Sequence, residues 1–429
     1  MRTLLHALLT AALFVCGVVG EGRAVEPIKI GFSMELTGPF AVVGKTGLLA
    51  FKIWEDEVNA EGGLLGRPVK LVYYDDQSNP ALVPGIYTKL LDIDNVDLLI
   101  SSYGTNLVVP AMPVAIAHNR LFFGLFALAA NDKFHYPKYF SMLPFGPEPV
   151  KDFAQGWFDL ASAQNPKPKT VAIVATDAEF QHKAAESARE HAKARGIDIV
   201  YDRAYPPTTV DFTPIVRSVQ ATQPDLVYIA SYPSDTVGIL RSVGELGLDT
   251  KMLGGGLAGL QAAAIKMQLG EAANGVVNVD LWEPVPTMQF PGVMDFIKKY
   301  QAKAPAEGVD LLGYFLPPYA FSELQVLADA ITATKPSITT SSPNTCTPTH
   351  STRSRVTSPL DPTANGPRRG RSGRSTTASR GMTSSSSASP RPLRSSRPRS
   401  TKPASWSTLM WKQGNSRLGA GCCRRVPAA

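Results

Sequence analysis

Apolar residues along this chain follow two alternating rhythms. Short continuous apolar runs occupy 28–34, 69–74, 97–101, 121–125, 170–175, 197–201, 226–231, 252–254 and 275–279. Each is too short for a core helix, and most are rich in Val and Ile, so each predicts a strand. Between them, apolar residues recur at helical spacing. In 44–60, Leu48, Leu49, Phe51, Ile53, Trp54 and Val58 form one broad stripe, and Gly62-Gly63 follows it. That pattern predicts a helix facing a core, with a glycine stop. Similar patterns predict helices over 80–93, 107–118, 150–163, 180–195, 212–221, 234–246, 292–303 and 319–334.

Strands alternating with helices predict parallel sheets covered by helices on both faces. The strands are too many for one sheet of usual size. A break rich in proline (Pro144, Pro147, Pro149) divides them into two sets. The expected fold class is therefore α/β, with two doubly wound parallel-sheet lobes and a ligand between them at the carboxyl ends of the strands.

Charge separates the chain into two physical objects. Residues 337–429 carry 16 Lys and Arg against one acidic residue, Asp361, while residues 1–336 carry 27 basic and 35 acidic residues. The first 24 residues read as a secretory signal, with Arg2, an apolar stretch over 4–19 and Gly22-Arg23-Ala24 before a cleavage point. The stretch is short for a bilayer span. A lipid anchor would use Cys16, but Phe14 and Val15 are bulky for such a signal. The other cysteines are Cys346, Cys422 and Cys423, so 25–336 has none, which suits an oxidising compartment.

The opening strand and helix read Ile-Lys-Ile-Gly-Phe-Ser-Met-Glu-Leu-Thr-Gly-Pro-Phe-Ala-Val-Val-Gly over 28–44. Val-Asn-Ala-Glu-Gly-Gly-Leu-Leu-Gly-Arg-Pro-Val-Lys-Leu-Val follows over 58–72, then Tyr-Asp-Asp over 74–76. These blocks resemble the leucine/isoleucine/valine-binding family of periplasmic proteins, and the resemblance continues weakly to about residue 335. It implies a type I periplasmic binding fold: lobe one over 25–145 and 278–336, lobe two over 146–277, and a three-stranded hinge. It also implies a periplasmic monomer that closes on a small solute and docks on the permease of an ABC importer, with no catalysis, cofactor, metal or nucleic acid.

The resemblance places the ligand's carboxylate at Tyr103, Gly104 and Thr105 and at the loop Phe126–Ala129. Thr105 supplies a hydroxyl, whereas the second loop has none, leaving the backbone of Ala127 and Ala129. A buried carboxylate needs such donors. In lobe two, Phe180 falls where relatives have a tyrosine, and Tyr232 matches a family tyrosine. The family's ammonium-binding glutamate falls at about Gly256, where it is missing. An unpaired buried ammonium is costly, so a carboxylate or amide with an apolar or aromatic body is expected, with Trp282 and Phe180 as its wall.

Other motifs have simpler readings. Gly254-Gly255-Gly256-Leu257-Ala258-Gly259, with Asp280 beyond it, imitates a dinucleotide fingerprint. Its place late in the chain favours a tight turn lining the cleft. Asp75-Asp76 reads as a strand-ending turn, and the histidines lack metal-ligand spacing. Two rivals remain at this stage: a ligand-sensing receptor of the same fold and a dinucleotide-dependent enzyme.

From Ser337 the composition turns abruptly to Ser, Thr, Arg and Pro. A disordered basic tail is one reading. A shifted reading frame near Lys335-Pro336 is the other. Codons can be chosen for 355–367 that, one base out of phase, give Gly-Asp-Val-Thr-Phe-Gly-Pro-Asp-Gly-Glu-Trp, which resembles a late strand-turn segment of the family. On that reading the family's last elements are missing, 337–429 is disordered and the product folds poorly or does not function.

Overall fold

The computed structural model describes residues 25–145, 148–334 and 424–425. The expected signal, Cys16 and the basic tail, for which a shifted frame is expected, lie outside the described residues, apart from Arg424 and Arg425.

The first sheet is built from β1 (Ile28–Met34), β2 (Val69–Asp75), β3 (Leu98–Tyr103), β4 (Phe122–Leu125) and β5 (Tyr139–Met142), in the order β5-β4-β3-β1-β2, all parallel. The second holds β6 (Thr170–Thr176), β7 (Asp198–Tyr205), β8 (Leu226–Ser231), β9 (Met252–Leu257) and β10 (Val276–Asn278), in the order β10-β9-β8-β6-β7, again parallel. The short β11 (Arg424–Arg425) pairs antiparallel with β5. The strands that sit inside the sheets are mostly apolar because both faces are covered, with Lys29, Ser33, Ser101 and Ser102 among the exceptions. In β1, for example, Ile28, Ile30, Phe32 and Met34 are all fully buried.

Helices follow the strands in turn. They are α1 (Ala41–Ala60), α2 (Val83–Asp92), α3 (Thr105–Ala117), α4 (Pro149–Phe153), α5 (Gln155–Ser162), α6 (Glu179–Ala194), α7 (Thr213–Ala221), α8 (Pro233–Leu246), α9 (Ala263–Leu269), α10 (Val293–Glu307) and α11 (Pro317–Thr334). The chain crosses from the first sheet to the second after β5 and returns after β10. It then lays α10 and α11 against α1. Trp54 Nε1 donates to Gln325 Oε1 at 3.1 Å and so pins α1 to α11.

Several local expectations are corrected. The helix expected over 150–163 breaks at Ala154 into α4 and α5. Strand β5 and helix α9 carried too little pattern to be seen. Most importantly, the strand expected over 252–254 runs to Leu257, so Gly254, Gly255 and Gly256 are strand residues and not a phosphate-binding turn. Glycine is needed there by close approach. A Cβ on Gly254, at φ 145°, would run into the Val277 carbonyl, and one on Gly255 would lie 2.5 Å from the Tyr228 ring. The dinucleotide resemblance thus records sheet packing.

Candidate functional site

Both sheets aim their carboxyl ends at one cavity. Strand β3 ends at Tyr103, and the chain turns through Gly104 at φ 89°, ψ 150°, into α3. That backbone lies in a region L side chains rarely adopt, which explains glycine at this position. Gly104 N donates to Leu125 O at 3.0 Å. Thr105 Oγ1 accepts the Leu128 N–H at 2.9 Å, tying the start of α3 to the loop after β4. In that loop Phe126 and Ala129 adopt φ of 52° and 58°. The Phe126 ring is held by Phe315 at 5.2 Å and Tyr319 at 4.9 Å, a packing that offsets the backbone strain.

The second sheet supplies the facing wall. Tyr232 ends β8 and starts α8, where its N–H donates to Asp235 Oδ1 at 3.0 Å. Asp235 is buried and also accepts from Tyr205 and Thr176. Burial pushes its carboxyl pKa up, against those hydrogen bonds. Beyond β9, Asn278 continues the ladder with its side chain, accepting from Leu257 N at 2.9 Å and donating to Leu257 O at 3.0 Å. That fixes the 3-10 turn Ala258–Gln261. In that turn Gln261 Nε2 donates to Val279 O at 2.8 Å.

Atoms leave about 470 Å³ of the cavity unfilled, a volume that includes space open to solvent. From the first sheet's side it is lined by Tyr103, Gly104, Thr105, Phe126, Leu128, Leu143, Phe145 and Phe315. From the other come Phe153, Phe180, Tyr232, Gly256, Ala258, Gln261, Val279 and Leu281. Among the described residues no Asp, Glu, Lys, Arg or His lines it. The lobes touch across it. The Phe40 and Tyr232 rings are 4.4 Å apart, and Phe180 N donates to Asn106 Oδ1 at 3.3 Å. The Tyr232 oxygen lies against the Asn106 N–H, and burial pushes its phenol pKa up.

Glu35 is fully buried behind Tyr103, and neither carboxyl oxygen has a hydrogen-bond partner among the described residues. Its pKa is raised well above the carboxylate range, first by burial and then by Asp76. Burial there disfavours its charged form.

Of the residues expected at the site, Tyr103, Gly104, Thr105, Phe180, Tyr232 and Gly256 come together in this lining. Ala127 and Ala129 do not line it. Trp282 is corrected: it lies outside the lining, with its indole N–H donating to Met288 O at 2.9 Å and its ring against Tyr314. Its neighbour Leu281 takes the place expected for it. Phe145, Phe153, Gln261 and Phe315 were missed, because each depends on how the chain crosses between lobes. Asp75 closes the turn after β2 by accepting from the N–H groups of Leu36, Thr37 and Gln77, as the turn reading expects.

A family profile described as "Periplasmic binding protein" matches residues 27–366. The chain belongs to the periplasmic binding protein family. The Leu/Ile/Val-binding protein homolog 7 of Brucella melitensis is 27% identical to this binding protein over 332 residues, covering 73% of this chain and 80% of the relative. Two solved structures share the fold. The branched-chain amino acid transporter substrate-binding protein LivJ of Streptococcus pneumoniae, in complex with isoleucine, has a TM-score of 0.61 at 19% identity, over 72% of this chain and 84% of its own. An ABC transporter solute-binding protein of R. palustris, in complex with 4-hydroxybenzoate, has a TM-score of 0.61 at 19% identity, over 72% and 82%. Membership implies a periplasmic location, a small-molecule ligand and work with an ABC permease.

Proposed function

We propose that this binding protein captures a small aromatic or similarly apolar carboxylate between its two lobes and hands it to the permease of an ABC importer, making and breaking no bond. Residues 25–145 and 278–336 form one lobe in this reading, 146–277 the other, and 1–24 direct export.

The observation that carries the reading is a cavity between two sheets with an aromatic wall and no charged side chain in its lining. An anion there relies on the partial positive charge at the N-terminal end of α3, on the Thr105 N–H and on the Thr105 hydroxyl, since the N–H groups of Leu107 and Val108 already donate to Gly104 O. The Thr105 oxygen already accepts from Leu128, so its hydrogen is free for a carboxylate. Among the described residues no carboxylate in the lining would neutralise an ammonium. Gly256 stands where the family resemblance puts the ammonium-binding glutamate. The complex of the R. palustris protein with 4-hydroxybenzoate supports the same ligand chemistry.

The test is calorimetric titration with benzoate, 4-methylpentanoate and leucine. Leucine and 4-methylpentanoate share a branched carbon skeleton and differ at the ammonium. The acid is expected to bind at least about tenfold more tightly, given the cost of an unpaired buried ammonium. Tighter binding of leucine contradicts the proposal.

A further inference from the structure

One group in the cavity wall is left with unmet chemistry. Gln261 lines both the cleft cavity and a smaller neighbouring cavity of about 240 Å³. Its side-chain nitrogen donates to the Val279 carbonyl at 2.8 Å. A carbonyl only accepts, so this bond fixes which end of the amide is which. The other end, Oε1, is buried and has no hydrogen-bond partner among the described residues. Residues lining the cleft cavity with it include Ala258, Leu281 and Phe315, whose side chains offer no donor.

Buried acceptors are nearly always paired, and an unpaired one in a ligand cavity marks a contact the ligand completes. Gln261 belongs to the second lobe, whereas Thr105 and the start of α3 belong to the first. A ligand held by its carboxylate at Thr105 directs its other end toward the second lobe, to which Gln261 belongs. We propose that Gln261 is a specificity-determining residue, which accepts a hydrogen bond from an uncharged donor on the end of the ligand remote from its carboxylate. A phenolic O–H or an aromatic N–H has this chemistry. The inference rests on the carboxylate reading of the cavity and adds to it the nature of the far end.

The test titrates the full chain with 4-hydroxybenzoate, 4-aminobenzoate and 4-methylbenzoate, the last similar in size to the first but without a donor. The wild-type chain is expected to bind at least one donor ligand about tenfold or more tightly than the methyl analogue, as a site built to pair a donor does. In Gln261→Leu the affinities should converge to within about threefold, because the acceptor is gone. Equal wild-type affinities for the three ligands would overturn the proposal, as would a Leu variant that keeps the preference. If that variant does not fold, the wild-type series alone decides. Failure of every benzoate to bind would instead remove the carboxylate reading, and this inference with it.

Discussion

The Thr105 oxygen accepts from Leu128 N, and in the proposed function its hydrogen goes to the ligand's carboxylate. Thr105→Val keeps the shape and removes both. Hydrogen bonds to a charged group are worth about 1.5–3 kcal/mol, so benzoate affinity should fall roughly ten- to a hundredfold by calorimetry. Asp76 carries a separate prediction. It is fully buried, accepts from Ser33 Oγ at 2.9 Å and Ser78 N at 3.0 Å, and has a pKa pushed up to about 6, mainly by burial. A carboxyl raised in the folded state binds its proton more tightly there than in the unfolded chain. Its stabilisation is therefore complete below the unfolded value near 4 and is lost as pH rises through about 6. Glu35 and Glu323, both raised by burial, act in the same direction. Urea unfolding should show stability falling from pH 4.5 to 7.5, and Asp76→Asn should flatten that fall by up to ~2 kcal/mol. A slope unchanged in the variant would count against this assignment.

At the scale of elements, the site is a set of strand ends brought together across a gap. Tyr232 at the start of α8 packs on Phe40 from the other lobe and on Phe180 from its own, with ring centroids 4.4 and 5.6 Å apart. Tyr232→Ala removes the ring that bridges the gap. It should weaken benzoate binding about tenfold or more, and because the ring is buried it should also lower the melting temperature, through the roughly 3–5 kcal/mol that loss of a buried aromatic costs. The exposed Lys133–Glu179 pair also spans the lobes, but such surface pairs contribute little. The elements themselves were legible. Strands β1 and β8 fall on the expected residues because a parallel sheet covered on both faces needs continuous apolar runs. The end of β9 was not legible, since Gly254–Gly256 carry no strand signal and are dictated by the neighbouring Val277 backbone and the Tyr228 ring. Thr105, Tyr232 and Gly256 were reached through the family resemblance and not through the apolar pattern. Gln261 and Phe315 were reached by neither, because their place in the cavity is set by Asn278 and by the return of the chain to α11.

For the whole molecule, the account has two lobes holding one anion by backbone dipoles and a hydroxyl, with aromatic rings excluding water. Binding to the folded state alone should raise thermal stability by mass action, by about 2.7 kcal/mol when ligand is at a hundred times its dissociation constant. The most direct test is a crystal structure of the chain with 4-hydroxybenzoate. The carboxylate is expected within hydrogen-bond distance of Thr105 Oγ1 and Thr105 N, with the ring between Phe126 and Phe180. A ligand bound the other way round, with its carboxylate on the second lobe, or bound outside the cleft, would contradict it.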